Sequence, residues 1–171
     1  MSDYLTSPAA DYSRLRDLLQ AGLWRDADEQ TSLLMLEIAR DLRLARIVSS
    51  KLSQRDAEWL AKLDYLTEED CQEFPCQDLY IIDRLWNQYS DRQFGFSIQA
   101  QLWNESGRDY AIFADIVGWR QGSSDSWVFY EDLDFTSNAP EGHLPAAPFY
   151  SANLAVGWSA AMASRLRDCQ N

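Results

Sequence analysis

The sequence predicts an all-α fold, and three observations carry that expectation. Apolar residues recur at helical spacing in one segment after another. Cap signatures open several of those segments, Ser53 with Asp56 and Thr67 before Glu68-Glu69-Asp70. The one strand-like tract, Trp127-Val128-Phe129-Tyr130, is too brief and isolated to found a sheet. With 171 residues, the chain suits one domain of about seven short helices, residues 11–171, after a flexible tail at 1–10.

In chain order, Tyr12, Leu15, Leu18 and Leu19 make the first helical stripe, and Gly22 supplies its stop. A second helix starts near Trp24 and carries Ala27, Thr31, Leu34, Ile38 and Leu42. The tract Arg40 to Lys51, RDLRLARIVSSK, is amphipathic and is the one locally positive segment. It reads either as a solvated helix face or as an anchor for a carboxylate-bearing ligand or acidic partner. Ser53 and Asp56 then lead into Trp59, Leu60 and Leu63, and Pro75 closes the turn after Thr67. Leu79, Ile82, Leu85, Trp86 and Tyr89 form a strongly periodic helix. The stretch Ser90 to Ser106, SDRQFGFSIQAQLWNES, sits at the centre of the scheme: a polar turn, then two rings flanking Gly95, then a helix with Ile98, Leu102 and Trp103. Because Gly95 has no Cβ, another backbone or a flat ligand can approach there. A helix with Tyr110, Phe113, Ile116 and Val117 follows, ended by Gly118.

Residues 118–148 change character, with Pro140, Gly142, Pro145 and Pro148 following closely on Asn138. A structureless loop of this length in a compact domain usually serves a function. The chain closes with an Ala-rich helix from roughly Ser151 to Asp168.

Composition narrows the function classes. The formal charge of -12, from 15 Lys plus Arg against 27 Asp plus Glu, repels phosphate backbones and anionic membrane surfaces, so nucleic-acid binding is not expected. No run approaches the length of a membrane span, and the start MSDYLTSPAA lacks the pattern of a signal peptide. Three cysteines, Cys71, Cys76 and Cys169, do not make a disulfide framework, and with one histidine they complete no zinc pattern. Free thiols in a reducing, soluble compartment such as the cytoplasm are the expectation.

Catalytic machinery is thin. Any hydrolytic triad would have to use His143, which sits in a rigid Gly142-His143-Leu144-Pro145 turn, and no phosphate-cradling loop is present. Carboxylates at Asp26-Ala27-Asp28-Glu29 and Glu68-Glu69-Asp70 fall at helix starts, where they complement the backbone dipole. The ring set Trp119, Trp127, Phe129, Tyr130 and Phe135 reads equally as a small satellite core and as a ligand contact surface.

Several stretches, in order, carry a family resemblance: Gly22-Leu23-Trp24 with Ala27-Asp28-Glu29-Gln30-Thr31, Phe74-Pro75 with Asp78-Leu79, and Ile82-Asp83 with Leu85-Trp86. Phe94-Gly95-Phe96-Ser97-Ile98-Gln99, Gly118-Trp119 and Ala139-Pro140-Glu141-Gly142-His143-Leu144-Pro145 complete them. The chain resembles the Genomes Uncoupled Four family, tetrapyrrole-binding accessory proteins of magnesium chelatase in oxygenic phototrophs. The resemblance implies a cupped helical domain that binds protoporphyrin IX or Mg-protoporphyrin IX without catalysis and with no resident metal. It implies a role in chlorophyll biosynthesis through the porphyrin-binding chelatase subunit, in a cyanobacterial or plastid setting, as a monomer. The expected ligand-binding residues are Tyr65, Leu66, Phe96, Ile98, Trp119, Trp127, Tyr130, Phe135, His143 and Leu144, with His143 conceivable as an axial ligand to a bound metal. The family's arginines after the GHLP turn, which face the propionates, have no counterpart: residues 146–164 hold no Lys or Arg, with Ser151 and Leu154 near those places. The Arg40–Asp56 segment is longer than usual, as is the loop from Gly118 to Trp127 with its acidic tip at Asp125. The N-terminal bundle of some members has no match. The expectation is a diverged stand-alone member. It binds a porphyrin through the basic Arg40–Lys51 segment, or a different tetrapyrrole such as a bilin, or has become a protein-interaction module. Cys71 and Cys76 are read as free thiols, with bilin attachment conceivable.

Overall fold

A computed structural model describes residues 10–122, 126–151 and 156–171. Among the described residues there are nine α-helices: α1 (Ser13–Gln20), α2 (Trp24–Ser49), α3 (Gln54–Lys62), α4 (Glu68–Gln72), α5 (Cys76–Tyr89), α6 (Phe96–Glu105), α7 (Tyr110–Ile116), α8 (Ala147–Ser151) and α9 (Val156–Gln170). A two-stranded ladder pairs β1 (Arg120–Gln121) antiparallel to β2 (Ser126–Trp127), and a 3-10 turn covers Tyr130–Asp132. The all-α expectation holds. The helix count is higher than about seven in part because α8 forms at the end of the tract read as loop, ahead of the expected final helix, and the "strand-like" tract gives one short rung of sheet rather than none. The tail at 1–9, Leu154 and the tip at Asp125 lie outside the described residues.

Helix α2 runs a full two turns beyond Leu42, absorbing most of the basic tract. No Gly or Pro interrupts it, and Arg43 and Arg46 anchor its last turns. Arg43 is buried, with Nη2 2.5 Å from Asp70 Oδ2, while Nη1 and Nη2 donate to the carbonyls of Leu63 and Tyr65 at 3.0 and 2.6 Å. Arg46 pairs with Asp70, Glu69 and Glu73. Asp70 also closes the capping box of α4, accepting from the Thr67 amide at 2.8 Å. Burial alone would push its carboxyl up, but the hydrogen bonds from Arg43 and Thr67 outweigh it and hold it below the usual carboxylate range.

One contiguous core joins the helices. Trp86 on α5 stacks near Trp24 (6.2 Å between centroids), meets the edge of Phe94 (6.3 Å), and donates its Nε1–H to Thr31 Oγ1 at 2.9 Å. The stretch around Gly95 is the hinge of the architecture. Gly95 has φ +135°, and a Cβ there would lie 2.5 Å from Asn87 Nδ2 and 2.9 Å from Asp83 Oδ1. Asp83 caps α6 from α5, its Oδ1 accepting from the Ser97 amide at 2.8 Å. The glycine's close neighbours are therefore the protein's own groups, and no ligand is needed to explain it.

The two most diagnostic sequence stretches hold each other. Gly95 N–H donates to Leu144 C=O at 3.0 Å, and Gly142 N–H donates to Gln93 C=O at 2.9 Å. Gln99 Nε2 spans the turn, donating to the carbonyls of Gly142 and Pro145 at 3.0 and 2.9 Å. The FGFSIQ and APEGHLP stretches thus form a folding joint in the interior.

Helix α9 packs along α6 and α4. Its far end is fixed covalently, because Cys169 is bonded to Cys76 at the start of α5. This corrects the expectation of free thiols for Cys76 and Cys169, and with it the premise for a reducing compartment. The pairing had no local signal: the two residues are 93 apart in sequence, and the fold brings their Cα atoms to 5.3 Å. Cys71 is free and buried, and burial pushes its thiol up. Neither Cys71 nor Cys76 presents a thiolate to which a bilin could attach.

Candidate functional site

The loop from Gly118 onward returns across the N-terminal half of α2 and builds a cavity there. Tyr130 donates its hydroxyl to Asp28 Oδ2 at 2.9 Å. The same carboxylate accepts from the amides of Ala146 (2.7 Å, Oδ1) and Ala147 (3.0 Å, Oδ2), which open α8. Tyr150, at the end of α8, lies 5.6 Å from the Tyr130 ring and donates its hydroxyl to Val128 C=O at 2.9 Å. Phe135 meets Tyr130 edge-on at 5.4 Å. These contacts leave a cavity of about 430 Å³ lined by Glu29, Ser32 and Leu33 of α2, by Tyr130, and by Ala147, Tyr150 and Ser151. That volume is within the range of small-molecule sites, about 300–1,000 Å³. Leu33 stays 62% exposed on its α2 wall.

Electrostatically the cavity is unusual. No Lys or Arg is among its lining residues, and Glu29 is its one charged wall group. Beneath it, burial pushes the Asp28 carboxyl up to about 7, against the opposing pull of the hydrogen bonds from Ala146, Tyr130 and Ala147. Tyr130 is likewise pushed up, by burial first and by Asp28 second. Asp28 was expected to serve the α2 dipole, but the acidic residue in that helix's first turn is Asp26. The carboxylate of Asp28 turns inward and ties α8 and the loop to α2.

The structure divides the ten expected ligand-binding residues into two groups. Leu66, Phe96, Ile98, Trp119, His143 and Leu144 are buried in the core. Trp119 meets the edge of Phe113 at 5.7 Å, lies 4.8 Å from Phe149, and donates Nε1–H to His143 C=O at 2.9 Å. His143 Nδ1 is 2.6 Å from Val117 C=O, so this nitrogen carries the proton, and burial lowers the ring's pKa. With 2% exposure the imidazole is in no position to ligate a metal inside an external macrocycle. The structure packs these six positions in the core, and none of them is among the residues that line the cavity. Helix α9 and Phe149 cover the α6 face that carries Phe96, leaving there a void of about 10 Å³, room for about one water.

The remaining four are accessible. Tyr130 lines the cavity and Phe135 supports it. Trp127 stands on the loop against Tyr110 at 5.4 Å, 37% exposed. Tyr65 is equally exposed, on the turn whose carbonyl Arg43 holds. The wall residues Glu29, Ser32, Leu33, Tyr150 and Ser151 were not singled out as site residues; their traces in the sequence are Glu29 in the Ala27–Thr31 family stretch, Ser151 near the places of the family's arginines, and the i, i+4 spacing of Glu29 and Leu33 on the helix Trp24–Ser49.

Arg43 and Arg46 are committed to Asp70 and its neighbours, so these two arginines of the Arg40–Lys51 tract are not free to meet a ligand carboxylate.

Comparisons with known proteins agree with this architecture. The chain is 34% identical to the Ycf53-like protein of Synechocystis sp. (strain ATCC 27184 / PCC 6803 / Kazusa) over 136 residues, 79% of this chain and 50% of that one. It is 27% identical to the chloroplastic Tetrapyrrole-binding protein of Arabidopsis thaliana over 130 residues, 71% of this chain and 43% of the relative. It spans about half the length of the curated relatives it matches. Two solved structures share its fold. GUN4 from Chlamydomonas reinhardtii superposes with TM-score 0.68 at 20% identity, covering 92% of this chain and 90% of that one. Ligand-free GUN4 from Arabidopsis thaliana gives 0.67 at 23%, covering 93% and 95%. The GUN4-like family profile matches residues 6–161, nearly the whole length, and the chain belongs to that family.

Proposed function

We propose that this chain is a non-enzymatic tetrapyrrole-binding protein that carries or senses protoporphyrin IX or Mg-protoporphyrin IX and regulates magnesium chelatase, acting as a monomer on the porphyrin-binding subunit. The observation that carries the reading is the cavity of about 430 Å³ between α2, α8 and the aromatic loop, in a chain of the GUN4-like family. A planar macrocycle requires an apolar wall and rings able to stack, and Leu33, Ala147, Tyr130 and Tyr150 offer both. Tyr130, held by Asp28 and backed by Phe135, is the ring best fixed for that contact.

The test is a titration with protoporphyrin IX, its magnesium complex, haem and a linear bilin, followed by absorbance and tryptophan fluorescence. A red-shifted Soret band with quenched emission is the expected result for the porphyrins. Stronger binding of the bilin would reassign the ligand, and no spectral change with any of the four would overturn the reading.

A second reading, a protein-interaction module, is favoured by one observation. Helix α3 has no buried residue, and Leu44, Val48, Leu52 and Trp59 around it are all exposed apolar side chains, Trp59 at 60%. It predicts unchanged spectra together with complex formation with the chelatase subunit.

A further inference from the structure

We infer that Arg25 is the carboxylate-recognising residue of the cavity, the group that takes one propionate of a bound tetrapyrrole; the inference rests on the tetrapyrrole reading above. A dianionic ligand entering a protein of net charge -12 needs a cation at its site. Residues 146–164 supply none, and Arg43 and Arg46 are spent on Asp70, Glu69 and Glu73.

Arg25 meets the requirement by position. Arg25, Glu29 and Leu33 recur every four residues along α2, so they share one face of that helix, and the latter two line the cavity. The Arg25 guanidinium lies over the rings of Tyr130 and Phe135, at 5.9 and 5.4 Å from their centroids. It therefore stands at the edge of the cavity, against two rings of the loop that supplies its Tyr130 wall. Stacking on two rings leaves the planar fork of N–H donors free to present to a carboxylate side-on.

Its one ionic partner among the described residues is weakly held. Arg25 Nε reaches Glu29 Oε1 at 3.4 Å, longer than the about 2.7–2.9 Å of a tight charge-assisted bond, and both side chains are half-exposed. A ligand carboxylate offering bidentate geometry can replace Glu29 at small cost. Glu29 then acts as an occupant of the anion position when the ligand is absent, and as a like charge opposing the ligand when it arrives.

Affinities for protoporphyrin IX and for its dimethyl ester, which keeps the ring and lacks the charged propionates, separate the possibilities. The full chain is used, with folding of each variant checked by circular dichroism. Arg25→Gln is expected to weaken the free acid about tenfold, as loss of a charge-assisted bond would, and to leave the ester unchanged. Glu29→Gln is expected to tighten the free acid and leave the ester unchanged. An Arg25→Gln variant that binds the acid as wild type does, or that weakens acid and ester equally, overturns the assignment while leaving the tetrapyrrole reading intact. Failure of the wild-type chain to bind either compound overturns both.

Discussion

The phenolic oxygen of Tyr130 lies 2.9 Å from Oδ2 of Asp28, a hydrogen bond between residues 102 apart that pins the aromatic loop to α2. Tyr130 is at once a cavity wall and the loop's fastening, so the shape of the site and the position of the loop are coupled. Tyr130→Phe should keep the ring and lose the fastening. The expected cost is about 1–2 kcal/mol of folding stability, measured by urea denaturation, since one bond to a buried acid is removed. Porphyrin affinity should fall with it; an unchanged denaturation midpoint would show that the bond does not hold the loop.

Asp28 makes stability pH-dependent. Its folded pKa, about 7, stands above the ordinary carboxylate value near 4. A raised pKa means that its contribution is fully present below the unfolded value and is lost as pH rises through 7. Wild-type protein should therefore lose stability relative to Asp28→Asn between about pH 4 and pH 7, by an amount on the order of a few kcal/mol. Melting curves for both proteins across that range provide the check, and parallel profiles would place the titration elsewhere.

Arg43 should be among the least tolerant positions. Replacing it with Ala leaves Asp70 buried with Arg46 alone and frees the carbonyls of Leu63 and Tyr65. The expected loss is about 3–5 kcal/mol, typical of breaking a buried pair by removing one partner. The depressed pKa of Asp70 works in the opposite sense to Asp28: its stabilisation is present above pH 4 and is lost as pH falls through its folded value. Acid unfolding of Arg43→Ala beginning at higher pH than in wild type would register both effects.

The bond between Cys76 and Cys169 should be worth about 2–4 kcal/mol, as long-loop disulfides generally are. Cys169→Ser, or addition of dithiothreitol, should lower the denaturation midpoint accordingly. Thiol labelling of the unfolded, unreduced chain should count one reactive cysteine, Cys71; three would show that the bond does not form.

Trp127→Ala tests the loop away from the cavity wall. Trp127 touches Tyr110 and stays partly exposed, so its loss should cost little stability, under about 1 kcal/mol. If the ring contacts the ligand, porphyrin affinity falls by more than tenfold; equal affinity removes Trp127 from the site.

The limits of sequence reading are visible residue by residue. Ser53 and Thr67 were legible as caps because their partners, Asp56 and Asp70, lie three residues on. The helix of Leu79, Ile82 and Trp86 was legible because its buried stripe follows the helical period. Asp28 was not, because its donors come from Tyr130, Ala146 and Ala147, more than a hundred residues away. Trp119 and Phe96 show a second limit. A large ring serves a core and a ligand surface equally well, and what decides between them is the packing of Phe113, Phe149 and α9, which no local pattern encodes. Most of the family motifs serve the fold rather than the cavity, as where Gln99 bonds Gly142 and Pro145; Glu29 is the one motif residue among the cavity's lining residues.

The covalent tie from Cys76 to Cys169 turns everything between those positions into a closed ring. A protease that cuts the backbone once inside the ring produces a nicked molecule whose two pieces stay joined and migrate together until a reductant is added. The aromatic loop and the start of α9 both lie inside that circle, so a cut in either severs the backbone without releasing a piece.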